Sequence, residues 1–161
     1  MTVGSTSSVR ISAPASRTRP NPKPRTWAFP RPRVRWTFDT GATVWAGIER
    51  DAATGLILVA NDAGTLHALD AKGAERWKFA TGKPVKARPT AIGDSVYLAS
   101  DSGFLYKLDK RSGAEAWRAQ IDRGSPERIP ASKEGSRWDR YGSSVLAGAE
   151  RVYVGSRARA P

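Results

Sequence analysis

Few side chains in this sequence belong to the types that carry acid–base or metal chemistry. The chain has one histidine, His67, and no cysteine. A lone imidazole without a second histidine or a cysteine does not form a typical metal site, so His67 is predicted to pack within a strand. Two carboxylate pairs, Asp70 with Asp109 and Glu75 with Glu115, recur at equivalent positions of a repeat. This recurrence predicts turn capping for the aspartates and a surface position for the glutamates.

The sequence motifs of the common catalytic classes are missing as well. The chain contains no serine hydrolase elbow, no Gly-rich phosphate loop and no His-Glu-x-x-His motif. The lack of cysteine also excludes disulfides, Cys-ligated metals and a cysteine nucleophile. We therefore expect no catalytic residue, no metal ligand and no cofactor in this chain, so a non-enzymatic function is the first hypothesis.

The clearest feature of the sequence is an internal repeat. Residues 62–77 and 101–117 share the pattern Asp-x-Gly-x-Leu-x-x-Leu-Asp, followed by Gly-Ala-Glu-x-Trp. The repeated tryptophans Trp36, Trp77 and Trp117 are 41 and 40 residues apart. A period of about forty residues made of short strands and Gly-bearing turns is typical of propeller blades, each a four-stranded sheet. We predict that the three tryptophans occupy equivalent packed positions.

These residues resemble the PQQ-like β-propeller repeat family over residues 34–161. The matching segments are Val96-Tyr-Leu-Ala-Ser100, Val152-Tyr-Val-Gly-Ser156, Leu66-His-Ala-Leu-Asp70, Trp36-Thr-Phe-Asp-Thr-Gly41 and Trp77-Lys-Phe-Ala-Thr-Gly82. The resemblance implies an all-β fold, and it implies a place in the periplasm or cell envelope. It leaves function open, because this repeat serves quinoprotein dehydrogenases and outer-membrane assembly lipoproteins alike.

The predicted architecture is a partial, open β-propeller of four-stranded antiparallel blades behind a disordered N-terminal tail. Residues 1–32 form the Pro- and Arg-rich tail, with six of the eleven prolines. The propeller part, 33–161, begins with a blade-edge strand at 33–39, continues with blades at 43–80 and 84–121, and ends with an incomplete blade at 142–156. The innermost strands of the two blades are predicted near 43–48 and 85–91.

The length of the repeat region indicates a fragment. A closed propeller needs about four to eight blades, whereas this region holds barely three. The remaining blades of a longer chain are therefore expected partners. No export signal is visible in residues 1–32, so either the protein is not exported by that route or its N-terminal part is absent from this sequence. No apolar run is long enough for a membrane helix.

The third unit carries an insert of about sixteen residues, within 122–141, that its sibling repeats lack. A long insert in one repeat usually maps to a loop on one face, and that face is often the binding face. Its cationic and aromatic side chains suit a protein, peptide or anionic partner, although the two aromatic residues would also suffice to pin the insert to the blade edge. The candidate partner-binding residues are Arg123, Arg128, Lys133, Arg137, Trp138, Arg140 and Tyr141.

The charge distribution suggests the first of two alternative functions, which is binding by a basic tail. The net charge is +12, but residues 1–35 hold eight basic and no acidic residues, which leaves only +4 for the rest. Such a tail could bind nucleic acid or an anionic surface through its charge, although a solvated linker is the plainer interpretation.

The other alternative is a fragment of a PQQ-dependent quinoprotein dehydrogenase. The resemblance implies for those enzymes a quinone held with a calcium or lanthanide ion, Glu and Asn ligands and a catalytic Asp. No such ligand set can be placed on this sequence, so the first hypothesis remains a binding or scaffold module for protein or envelope partners.

Overall fold

The computed structural model describes residues 33–122, 144–148 and 151–155. Within these ranges the chain is all-β, with two four-stranded sheets and one two-stranded sheet. The strands are β1 (Glu49–Arg50), β2 (Ile57–Ala60), β3 (Thr65–Leu69), β4 (Glu75–Ala80), β5 (Thr90–Ile92), β6 (Ser95–Ala99), β7 (Phe104–Asp109), β8 (Glu115–Gln120), β9 (Leu146–Ala147) and β10 (Val152–Tyr153). The predicted tail, 1–32, lies outside the described ranges, as does the predicted insert beyond residue 122.

Each four-stranded sheet is an antiparallel meander in sequence order, as a propeller blade requires. Blade 1 is β1-β2-β3-β4, blade 2 is β5-β6-β7-β8, and blade 3 consists of β9 paired with β10. The turn between the second and third strands needs a residue with positive φ, which Gly64 (85°) and Gly103 (81°) provide. The prediction of an open propeller of four-stranded blades is confirmed.

The innermost strands are shorter than predicted and lie nearer the end of each segment. They were expected near 43–48 and 85–91, but the structure has only Glu49–Arg50 and Thr90–Ile92. The preceding backbone groups bond to neighbouring turns instead of to a strand. The carbonyl oxygen of Thr43 accepts the N–H of Asp62, and the N–H of Val85 donates to the carbonyl oxygen of Asn61.

The predicted blade-edge strand at 33–39 is also not formed as a strand. Only a single bridge at Asp39 is present, because no third strand pairs with this segment in the described part of the chain. The side chains nevertheless pack as the repeat predicts. Trp36 lies against Gly73 of blade 1, and Phe38 makes an edge contact with His67.

The apolar core lies between the blades, not within any one of them. One cluster joins blade 1 to blade 2 and includes Leu58, Leu66, Leu98 and Leu108, all fully buried. A second cluster joins blade 2 to blade 3 through side chains such as Tyr97 and Val145. Burial of each large apolar side chain contributes about 1.5–3 kcal/mol. Contact between blades is therefore the main source of stability.

The middle strands confirm that blades are covered on both faces. In β2, Leu58 and Ala60 belong to the cluster shared with blade 2, while Ile57 and Val59 face segment 33–40. This arrangement explains why residues 56–60 are apolar throughout. In the part of the chain that the structure describes, no helix is long and apolar enough to cross a membrane.

Candidate partner-binding face

One face of the blade array is formed by the turns between second and third strands and by the connectors between blades. We call it the connector face; its described turns are 61–64 and 100–103. The turn of blade 1 is held by the following connector, since the N–H of Thr81 donates to the carbonyl oxygen of Gly64 at 2.8 Å. The turn of blade 2 is held by the preceding connector, since the N–H of Asp101 donates to the carbonyl oxygen of Pro84 at 2.9 Å.

Two hydroxyl groups reinforce this face at the junction of blades 1 and 2. The Thr81 hydroxyl lies 3.0 Å from the carbonyl oxygen of Gly64 and 2.7 Å from that of Lys83. The Ser100 hydroxyl lies 3.0 Å from the Thr81 oxygen and 3.1 Å from the Lys83 carbonyl oxygen. The connector between blades 1 and 2 is therefore fixed from both sides, which makes the face a rigid platform.

The last described residues before the insert are bonded to this same face. The N–H groups of Ile121 and Asp122 both donate to the carbonyl oxygen of Gly103, at 2.9 and 3.2 Å. At the other end of the insert, the carbonyl oxygen of Val145 accepts the hydroxyl of Thr90 at 2.7 Å. The insert therefore runs from the outermost strand of blade 2 to the innermost strand of blade 3. All seven candidate partner-binding residues, Arg123, Arg128, Lys133, Arg137, Trp138, Arg140 and Tyr141, lie outside the described residues.

Among the described residues of the connector face is a lysine whose side chain is mostly buried. The side chain of Lys86 is 8% exposed, and its Nζ lies 3.3 Å from Oδ1 of Asp62. That oxygen accepts no hydrogen bond, so the contact is an ion pair only. The turn backbone is bonded by the neighbouring Asn61, whose Oδ1 accepts the N–H of Thr65 at 2.9 Å.

His67 is buried, as predicted, at the centre of a small polar cluster. Its Nδ1 lies 2.8 Å from Oε1 of Glu75, which identifies Nδ1–H as the donor. Nδ2 of Asn61 lies 3.5 Å from Nε2 of His67 and donates to the carbonyl oxygen of Thr40 at 2.7 Å. Glu75 was expected at the surface, and its side chain is indeed one-third exposed. The cluster ties strand β3 to both β4 and segment 33–40, which is a structural role.

The opposite face carries the repeated aspartates, and they cap turns as predicted. Asp70 accepts the backbone N–H groups of Ala74 and Lys72, and these bonds lower its pKa. Asp109 accepts the hydroxyl and the N–H of Ser112, and the hydroxyl is the larger cause of its lowered pKa. Each carboxylate is therefore bonded to its own turn, and the two aspartates are not arranged as an acid–base pair.

A buried ion pair on the opposite face was not predicted from the sequence. Nζ of Lys110 in blade 2 lies 3.1 Å from Oδ2 of Asp51 in blade 1, and both side chains are at most 10% exposed. The hydroxyl and N–H of Thr54 bond to the same carboxylate oxygen. The Thr54 hydroxyl is the largest cause of the lowered pKa of Asp51, and Lys110 adds to it. The two neighbouring blades are therefore joined by charge as well as by apolar packing.

The described side chains offer no ligand set for a metal or quinone. Within residues 33–122, 144–148 and 151–155, no three His, Cys, Asp or Glu side chains are grouped so that they could hold a metal ion. The carboxylates of Asp51, Asp70 and Asp109 are bonded to turn groups.

The fold and its junctions define a class: an open β-propeller of PQQ-like repeats, whose blades are held together by apolar clusters and connector turns. More specifically, the chain belongs to the family described as outer membrane protein assembly factor BamB, whose sequence model matches residues 30–158. A search of curated protein sequences found no match.

A solved structure shows the same fold. The structure of BamB from Moraxella catarrhalis matches with a TM-score of 0.58 and 26% identity over 75% of this chain. The match covers 33% of that protein, so the chain spans about a third of its length. Two further matches are the quinohemoprotein alcohol dehydrogenase of Comamonas testosteroni (TM-score 0.46, 21% identity, 52% of this chain and 14% of that chain) and Sqt1 of Saccharomyces cerevisiae (0.44, 18%, 47% and 20%).

Proposed function

We propose that this chain is a non-catalytic scaffold that binds protein partners during outer-membrane protein assembly in the cell envelope. Family membership supports the assembly role, because the family is described as an outer membrane protein assembly factor. The observation that carries the binding role is the anchoring of Ile121 and Asp122 on the carbonyl oxygen of Gly103. The insert therefore begins next to the connector face, and we propose that its cationic and aromatic residues act together with that face.

The surroundings of the anchor support a binding surface held by a rigid base. The turns and the connector of blades 1 and 2 are joined by backbone bonds of 2.8–3.2 Å, so they present a fixed platform beside the insert. Sites on rigid elements lose less entropy when a partner binds. Arginine, tryptophan and tyrosine are also the residues most enriched among interface residues that dominate binding energy.

A loop exchange tests the proposal with the rest of the fold kept. Residues 123–143 are replaced by the sequence of residues 83–87, which makes the same connection one repeat earlier. A photo-crosslinking amino acid is placed at Trp138 in the original chain and, as the control on the opposite face, at Lys72. We expect Trp138 to capture a protein of the outer-membrane assembly machinery in living cells, and the exchanged chain to lose co-purification of that protein. Equal capture from Lys72, or unchanged co-purification after the exchange, would contradict the proposal.

The alternative function, nucleic-acid binding by the basic tail, needs a separate test, because the tail lies outside the described residues. A tail-mediated interaction would weaken steeply with salt and would disappear when residues 1–35 are removed. Binding that survives this truncation would have to come from the propeller part.

A further inference from the structure

The imidazole of His67 lies between blade 1 and segment 33–40, and its two ring nitrogens have different partners. The residue is 8% exposed. Nδ1–H donates to Oε1 of Glu75 at 2.8 Å, and Nε2 lies 3.5 Å from Nδ2 of Asn61. Histidine is the side chain that ordinarily changes charge between pH 5 and 8, so the junction at this ring contains a group that can respond to a proton.

The amide of Asn61 is held in one orientation by the backbone. Its Oδ1 accepts the N–H of Thr65 at 2.9 Å, and its Nδ2 donates to the carbonyl oxygen of Thr40 at 2.7 Å. Rotation of the amide by half a turn would place each atom against a backbone group of its own kind, so both bonds would be lost. The second N–H of Nδ2 is therefore the group that faces Nε2 of His67, which requires Nε2 to be an acceptor.

Proton uptake by His67 reverses the character of Nε2, because Nδ1 already carries a hydrogen. It sets a ring N–H against the N–H of Asn61, and two donors cannot form a hydrogen bond. A buried charge without a partner on that side is unfavourable. The Asn61 side chain must then move away from the ring and give up its bond to Thr40.

The charged side chains of β4 do not compensate for this conflict. Glu75 already accepts Nδ1–H in the neutral form, so proton uptake adds only charge attraction to an existing bond. That carboxylate is one-third exposed, and solvent screens its attraction. Lys78 is the register partner of His67 on β4 and brings a second cation to the same face of the sheet.

The other described elements around the ring present uncharged groups to it. Strand β2 contributes Val59 at this register. Segment 33–40 contributes the ring of Phe38, whose centroid lies 5.3 Å from that of His67. The charged side chains of these elements and of turn 61–64 lie elsewhere: Asp39 accepts the N–H of Gly41, Asp62 pairs with Lys86, and Arg33 and Arg35 line the adjoining apolar cavity.

The junction between blades 1 and 2 has the same geometry with different chemistry. Phe79 contacts Tyr106 with ring centroids 5.3 Å apart at 65°, the same distance and angle as at His67. The counterpart of Asn61 is Ser100, whose hydroxyl can turn its hydrogen to suit a neighbour. Neither tyrosine nor serine ordinarily changes charge between pH 5 and 8. The two junctions therefore form a matched pair, of which the first carries the titrating ring.

We propose that the contact of segment 33–40 with blade 1 is a pH-sensitive lock, which is closed while His67 is neutral and loosened when Nε2 takes up a proton. The lock acts on the connector face as well. The carbonyl oxygen of Asn61 accepts the N–H of Gly64 at 3.1 Å and that of Val85 at 3.2 Å. A fall in pH through the range in which histidine titrates therefore loosens turn 61–64, whereas turn 100–103 keeps its bonds.

Hydrogen exchange of the backbone amides tests the lock on the intact 161-residue chain. Exchange is measured by mass spectrometry at pH 7.5 and pH 5.5, with labelling times scaled for the intrinsic pH dependence of exchange. Protection of residues 61–66 should fall by about threefold to tenfold at pH 5.5, the ratio expected when one hydrogen bond is lost. Residues 100–105, in the equivalent turn of blade 2, should show no such fall.

Two substitutions separate the lock from a purely structural role of His67. His67→Tyr installs the side chain that blade 2 has at this position and should remove the pH dependence. Asn61→Asp offers Nε2–H an acceptor and should reverse the response, so that protection is higher at pH 5.5 than at pH 7.5. This second variant keeps the test decisive if the larger tyrosine disturbs the fold.

Three results would overturn the inference. They are the same change, or none, in both turns, a pH response that persists in His67→Tyr, and protection of residues 61–66 that rises at pH 5.5 in the original chain. The last result would show that attraction between the protonated ring and Glu75 outweighs the conflict with Asn61.

Discussion

The indole Nε1–H of Trp77 donates a hydrogen bond of 2.9 Å to the carbonyl oxygen of Lys110, thirty-three residues further along the chain. Its ring lies so close to Gly113 that a Cβ there would come within 2.5 Å of it. Trp36 repeats this contact one blade earlier, with its Nε1–H on the carbonyl oxygen of Ala71. The indoles of Trp36 and Trp77 are thus each docked on the last turn of the following blade.

Replacement of Trp77 by alanine should lower the free energy of unfolding by about 3–5 kcal/mol, because a buried aromatic ring and its hydrogen bond are lost together. Trp117 is the matched control: it is 39% exposed, and Trp117→Ala should cost clearly less. Urea unfolding followed by circular dichroism measures both variants. A loss below about 1 kcal/mol for Trp77→Ala would mean that the repeat alignment does not describe the packing.

The glycine that receives Trp77 provides a second test. Gly113 has a φ of 72° and Gly82 a φ of 73°, but a Cβ at Gly82 would have nothing within 4 Å. Gly82→Ala should therefore cost only the backbone strain, about 1 kcal/mol, whereas Gly113→Ala should cost more because it displaces the indole.

A double-mutant cycle isolates this contact. If Trp77→Ala is already present, the added cost of Gly113→Ala should fall to that of Gly82→Ala. Full additivity of the two changes would show that the ring and the turn do not act on each other.

Local repetition explains which parts of the fold the sequence predicts. Strands β3 and β4 lie within the blade predicted at 43–80, because the Asp-x-Gly turn and the residues at 70–74 mark both ends of β3. The innermost strands were misplaced because the backbone of Thr43 and Val85 bonds to turns distant in sequence. Backbone hydrogen bonds to distant turns leave no periodic pattern in the sequence.

Contacts between repeats explain what the sequence did not show. The prediction of equivalent packing holds for Trp36 and Trp77 but is wrong for Trp117, since burial of an indole depends on the following blade. The pairing of Asp51 with Lys110 was missed for the same reason, because its partners come from different repeats. Asn61 could have been noticed, as both it and Ser100 are polar residues directly before an Asp-x-Gly turn.

The buried pair of Asp51 and Lys110 should be one of the main electrostatic contacts between blades. Lys110→Ala leaves the Asp51 carboxylate enclosed without its cation, and removal of one partner of a buried pair costs about 3–5 kcal/mol. Arg76→Ala is the control, because Arg76 is mostly exposed and surface ion pairs contribute little. Equal unfolding midpoints in urea for both variants would contradict the inter-blade role of the pair.

Acid should destabilise the chain through its turn aspartates. Asp51, Asp70 and Asp109 have lowered pKa values, so their contribution to stability is present above the unfolded value of about 3.9 and is lost as the pH falls through the lower folded values. Unfolding midpoints in urea should therefore drop from pH 5 to pH 2.5. Ser112→Ala removes the main cause of the low pKa of Asp109 and should flatten this decline.

The end of the array at blade 3 should drive self-association of the isolated chain. Leu146 is 69% exposed and Tyr153 is 56% exposed, and they are paired on one face of the two-stranded sheet. Burial of each of these side chains against a second copy would contribute about 1.5–3 kcal/mol. Among the described residues β10 pairs only with β9, so the backbone groups on its other edge add to this attraction.

Light scattering on the chain should therefore give a mass above that of a monomer at micromolar concentration. The double change Leu146→Lys and Tyr153→Lys should restore the monomer, because it places charge on the contact face. Ile48→Arg at the opposite end of the array should leave the association unchanged. A strictly monomeric chain that melts in one sharp transition would instead require that these apolar side chains are covered within the molecule, and it would exclude the open arrangement of blades.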